Sequence, residues 1–432
     1  MENILLIIRL LPTRYLVVSV LTIVLSFDFR SSYSQKTLSL DDRSYEWQIK
    51  TVQLYPNLGG PRDYLQPAVV PLERQNLVLE FDDIQDHRNN YYVKLIHCNF
   101  DWSKSQLSDL DFFDSFNENP INEYAFSNNT HARYIHYRFV VPPVKLPGNY
   151  VLIVYRDGEQ SDLILSRRMM VFANQVAINK DTQFAGTGTL QRDKQVFNFD
   201  VDYSAMQIIN PADNVHVVMR QNFRWDNAKI NVAPNYVNEA SSRLEYRFLD
   251  AANQFDGGNE FRWADFRSLQ APGANTARIN RLVKPYELYL ATDAPRSDQF
   301  YAQYPDLNGM YVIENLDVGE GVLTGDYVYT NFTLKMPQTA DLVYMVGAFN
   351  NYQRNEDNLM HYNAGGYYES RQFIKQGLYN YQYVVDSKKG ANGLEGNHFE
   401  TENVYEVLVY QRPFRPNADL LVGYYLIPLN GR

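Results

Sequence analysis

The chain is poor in several residue classes, and each shortage removes a class of function. Its 432 residues hold one cysteine, Cys98, so an internal disulfide framework and a cysteine-built metal cluster are both excluded. It has no block of basic residues. Lys and Arg total 40 against 50 Asp and Glu, a formal net charge of −10. Phosphate backbones are held by clustered Lys and Arg, so the composition argues against a nucleic-acid partner. Beyond the N-terminus no apolar run approaches the roughly 20 residues a membrane helix needs. There is no Gly-x-Ser-x-Gly elbow, phosphate loop or dinucleotide fingerprint. Tryptophan is scarce too, at Trp47, Trp102, Trp225 and Trp263.

What is present points to β structure. Hydrophobic residues make up 45% of the chain, with 34 Tyr and 24 Phe. That is enough to build cores, and both aromatics favour pleated, half-buried surfaces. Period-two runs recur, among them Asn76–Phe81, Tyr92–His97, Val196–Val201, Val215–Arg220, Tyr327–Phe332, Leu342–Val346, Tyr379–Val384 and Val404–Tyr410. Turn signals separate them, such as Pro147-Gly148-Asn149, Asp256-Gly257-Gly258, Asn308-Gly309 and Gly365-Gly366. Short alternating strands punctuated in this way predict antiparallel sandwiches. One helix is expected within Ser103–Phe116, where Leu107, Leu110 and Phe113 lie three apart. The spacing divides the chain into three consecutive sandwiches, at 45–172, 173–304 and 305–432. The terminal stretch Leu420–Arg432 reads as the last strand of the third.

Residues 1–34 read as a signal peptide. Arg9 and Arg14 flank the uncharged stretch Tyr15–Phe27, which is too short to span a bilayer. Cleavage is expected between Ser34 and Gln35. An uncleaved anchor is the alternative, because Ile4–Leu11 is also apolar. No cysteine follows the apolar run to take a lipid.

The search for chemistry returns little. The seven histidines form no His-Glu-x-x-His pair. His97 and Cys98 are adjacent, and adjacent strand residues face opposite ways, which is wrong for proton transfer between them. His131 and His136, five apart, would likewise face opposite ways in a strand. Asp82, Asp83 and Asp86 cluster, as do Asp109, Asp111 and Asp114. A glycosidase pair or a calcium loop could use such carboxylates, and a solvated acidic surface explains them as well. No catalytic residue, metal ligand or cofactor is assigned. Asn222–Trp225 and Asn259–Trp263 share an Asn, Phe-Arg-Trp pattern that suits an interface anchor. It suits equally a pair of core tryptophans whose arginines are matched by nearby acids.

The run from Leu342 to Tyr352, followed by Gly365–Tyr368 and Gly377–Asp386, resembles the early-set sandwich that binds glucans in starch-active proteins. Tyr352 and Tyr367 are the residues that could stack on a sugar. Since the segment has no tryptophan, it reads as that fold without a full sugar site.

A broader resemblance covers about Tyr45 to the C-terminus. His97-Cys-Asn-Phe-Asp-Trp-Ser103, Asn119-Pro-Ile-Asn-Glu-Tyr124, Tyr134–Tyr137 and Gly148–Tyr150 resemble the first domain of the type IX secretion system plug family of Bacteroidetes. Gln221–Asn227, Gly258–Arg267, Asp306–Tyr311, Lys375–Tyr383 and Glu395–Tyr405 continue it in order. The resemblance implies an all-β periplasmic protein that closes the inner end of a large outer-membrane β-barrel translocon. It would touch the membrane only through that partner, and it would have no cofactor and no catalytic residues. An exported glycan-binding protein using the last sandwich is the alternative.

Overall fold

The computed structural model describes residues 36–181, 193–248, 253–386 and 393–431. The expected signal segment, with Ser34 and Gln35, lies outside them. Leu38–Arg432 forms one compact unit, and its sheets are almost entirely antiparallel. The all-β class expected from sequence is the class observed.

In the first sandwich, one sheet carries Tyr91–Cys98, Gly148–Arg156 and Leu163–Phe172. The facing sheet carries Ile49–Pro56, Leu77–Asp83, Ile135–Val140 and Glu123–Phe126. Phe81 and Tyr137, from the second sheet, meet Tyr91, Leu95 and Leu152 in a shared core. The expected helix shrinks to one turn, Asp109–Phe112, capped by Ser108 and Asp111. The three-residue spacing misleads there because Phe112 and Phe113 are the buried pair, whereas Leu110 faces solvent.

The remaining cores do not follow consecutive segments. The second joins Phe199, Val201, Leu244 and Tyr246 to Val217, Val407, Val409, Val422 and Ile427. Its closing sheet pairs Val215–Gln221 with Asn403–Gln411, which pairs in turn with Leu420–Leu429. The third core lies between these halves in sequence. It joins Ala264, Met345, Tyr379 and Tyr381 to Leu288, Val328, Phe332 and Tyr368. So Leu420–Leu429 closes the second sandwich rather than the third, and the sequence divisions at 173–304 and 305–432 do not coincide with these cores.

The strand Gly148–Arg156 explains how the sandwiches join. Its stretch Tyr150–Tyr155 is a continuous run of apolar and aromatic residues buried on both faces, as strands inside layered structures are. Tyr150, Leu152 and Val154 point into the first core. Val151, Ile153 and Tyr155 point outward onto Val218, Leu408, Tyr410 and Leu421 of the second sandwich. Asn403–Gln411 does the same from the other side, with Val407 and Val409 inward and Leu408 and Tyr410 across the seam.

Candidate functional site

Polar contacts lock the seam between the first and second sandwiches. The Tyr410 hydroxyl donates to Asn149 Oδ1 at 2.8 Å, and the Phe100 backbone N–H donates to Asp419 Oδ2 at 3.1 Å. Asp419 also accepts two bonds from Arg412.

The seam between the first and third is ionic. Lys375 Nζ lies 2.7 Å from Asp82 Oδ2, and both side chains are 1% exposed. The Tyr327 hydroxyl donates to the same oxygen, and His136 Nδ1 meets Asp82 Oδ1 at 2.8 Å. Burial opposes the charge on Asp82, but Lys375 and His136 outweigh it and hold the carboxyl below its usual range. Burial likewise opposes a charge on His136, yet its bonds to Asp82 and Glu80 raise its pKa to about 9. Burial lowers the Lys375 pKa against the pull of Asp82. Nearby, Asp326 accepts the backbone N–H groups of His131 and Ala132, and the Tyr134 hydroxyl donates to the Val322 and Gly325 carbonyls. His131 and His136 thus serve one seam. The strand-parity expectation fails because His131 precedes the strand that begins at Ile135.

A cavity of about 170 Å³ opens where the three sandwiches meet. Val52, Leu54, Trp102, Arg167, Arg168 and Met170 line it from the first, Arg220, Phe223, Arg224 and Trp225 from the second, and Met310, Tyr311 and Tyr352 from the third. The rings of Trp102 and Trp225 meet edge to face at 4.9 Å. Guanidinium groups cover the aromatic faces. Arg168 lies 4.5 Å from the Trp102 ring centre, Arg220 4.1 Å from Trp225, and Arg224 4.1 Å from Tyr352. Arg220 is paired with Glu406 at 2.6 Å, and Arg224 with Asp226 at 2.7 Å.

The residues singled out from sequence fall as follows. Tyr352 lines this cavity, buried beneath Arg224 with its ring edge toward Phe261. A β-carbon at Gly309, which has φ +84°, would overlap its hydroxyl, so the ring is enclosed and presents no open platform for a sugar. Tyr367, half-buried, begins the strand Tyr367–Lys375 opposite Lys335, and it does not line the cavity. Arg224 and Arg262 are matched by acids as expected, Arg262 by Asp293 and Glu395. Trp225 lies in the seam and Trp263 in the third sandwich, rather than in the second core. His97 packs between Phe112 and Tyr150, and burial lowers its pKa to about 4. Cys98 faces the opposite seam, its thiol pushed up to about 12 by burial. The acidic clusters divide between buried groups, Asp82 and Asp83, and solvated ones such as Asp86 and Asp114. Asp83 accepts the Tyr91 hydroxyl, Asp109 pairs with Lys94, and Asp114 pairs with Lys145. Among the described residues no three His, Cys, Asp or Glu side chains form a group that could hold a metal. No described helix is long and apolar enough to cross a membrane.

Comparison with known proteins gives the first sandwich a family. Residues 49–173 match the model of the type 9 secretion system plug protein 1st domain. This segment is similar to the first domain of that family. The match begins at Ile49 and ends at Ala173, so it spans the first core of the fold. A separate likeness, to a solved structure, covers most of the chain. A crystal structure of a hypothetical protein from Parabacteroides merdae ATCC 43184 superimposes with a TM-score of 0.84 at 26% identity. The alignment covers 91% of this chain and all of that one. No curated protein matches.

Proposed function

We propose that the protein is a non-enzymatic periplasmic plug that seals the inner end of the outer-membrane barrel through which type IX secretion exports its cargo. The match of residues 49–173 to the plug family carries this reading. A barrel wide enough to pass folded protein encloses a water-filled lumen, so it leaks unless something closes it. The stopper has to be stiff, and the two seams described above supply stiffness without chemistry. Each combines apolar packing with buried hydrogen bonds, and sandwiches joined in that way resist bending against one another. Export by the N-terminal signal, with cleavage between Ser34 and Gln35, belongs to the same proposal. The barrel is then the sole route of membrane association.

Deletion of the gene tests the reading. A strain lacking the protein should admit antibiotics too large for porins, and the wild-type copy should restore exclusion. Unchanged permeability in the deletion strain would contradict the sealing role.

A further inference from the structure

The geometry points to the junction cavity as a binding site for a carboxylate carried on a compact apolar group. The inference rests on the cavity alone and not on the plug reading. Four guanidinium groups line it, and only two have a carboxylate partner. Arg220 has Glu406 and Arg224 has Asp226. Arg167 donates to the Ser166 carbonyl and Arg168 to the Leu40 carbonyl, each at 2.9 Å. Neither has a carboxylate within ion-pair distance among the described residues, although Arg167 is 8% exposed. Asp42, which also lines the cavity, and Asp41 act on both through space, but the Asp42 Oδ1 accepts the Arg168 backbone N–H and pairs with neither guanidinium. Arg168 is also covered by the Trp102 and Trp225 rings, whereas Arg167 is a buried cation with a carbonyl partner alone, which is costly unless an anion comes to it. Two further donors lack acceptors, the Trp102 indole N–H and Arg220 Nε.

The backbone marks the same place. Trp102, Phe223 and Tyr352 have φ of 67°, 61° and 54°. Bulky side chains rarely take this left-handed conformation, and such strain concentrates at ligand sites. Among the described residues they are the only aromatic residues with positive φ, and all three line the cavity.

The walls set the rest of the ligand. Leu54, Met170, Met310 and Tyr311 leave an apolar space. A cavity of roughly 150 Å³ holds benzene, so about 170 Å³ suits a phenyl-sized group with its carboxylate turned to Arg167 and Arg168. A free aryl acid and the C-terminal residue of a peptide ending in phenylalanine share this chemistry.

The test titrates the mature chain with phenylacetate, with phenylacetamide, with inorganic phosphate and with a short peptide ending in Phe, following tryptophan emission and the melting temperature. Phenylacetate or the peptide should bind saturably and raise the melting temperature, and whichever binds more tightly identifies the source. The neutral amide and phosphate should each bind at least tenfold more weakly. Arg167→Gln should weaken binding tenfold or more. If that variant does not fold, Met310→Trp should block binding by filling the apolar space while leaving every charge in place. Absence of saturation with either acid, equal binding of the amide or of phosphate, or full binding by Met310→Trp would overturn the inference.

Discussion

Lys375 Nζ and Asp82 Oδ2 sit 2.7 Å apart although 293 positions separate them in the chain. Asp82 comes from the inner strand Leu77–Asp83 of the first sandwich, and Lys375 ends the strand Tyr367–Lys375 of the third. Removing one member of a buried pair leaves an uncompensated charge and costs about 3–5 kcal/mol. Lys375→Met and Asp82→Asn should each lower the free energy of unfolding by that order, and the double variant by less than their sum. Urea titration of the four proteins checks this. Additive losses would show that the two groups do not interact.

The same cluster gives a pH dependence. His136 has an ordinary pKa of 6.5, raised to about 9 in the fold. Its bound proton therefore stabilises the folded chain fully below pH 6.5, and that stabilisation is lost as pH rises through about 9. Asp82 and Glu80 hold the proton, while Lys375 opposes it. The stability advantage of wild type over His136→Asn should shrink steadily between pH 6.5 and 9. Unfolding curves at half-unit steps measure it, and an advantage that grows with pH would reverse the assignment.

Cys98 should be silent in the native state. Its thiol is buried, and its pKa is pushed up to about 12. Only the thiolate reacts, so Ellman's reagent at pH 8 should label the unfolded protein and leave the folded one unmodified. Rapid labelling of the folded chain would show that this seam opens.

Much of the fold was legible because β structure writes its period into side chains one residue at a time. Val215–Gln221 and Asn403–Gln411 both read as strands from that pattern. Their pairing with each other was not legible, because alternation names a face and never a partner. The insertion of the third sandwich between two halves of the second was hidden for that reason. The site was less legible still. Trp102, the pair Arg167 and Arg168, Arg224 and Tyr352 come from four distant segments, and only packing brings them to one cavity. Two sequence signals did fall here: Asn222–Trp225, whose Phe, Arg and Trp line the cavity, and Tyr352, singled out for a different role. The plug resemblance was legible because its short motifs keep their order from about Tyr45 to the C-terminus, and the family match falls on residues 49–173 of that span.

The central claim is that this chain docks on a secretion barrel. The most direct test is affinity capture of a C-terminally tagged protein from detergent-solubilised membranes, followed by mass spectrometry of what is retained. The account predicts recovery of a very large outer-membrane β-barrel in near-stoichiometric amount. Recovery of the protein alone, from cells actively exporting cargo and from cells blocked in export, would contradict it.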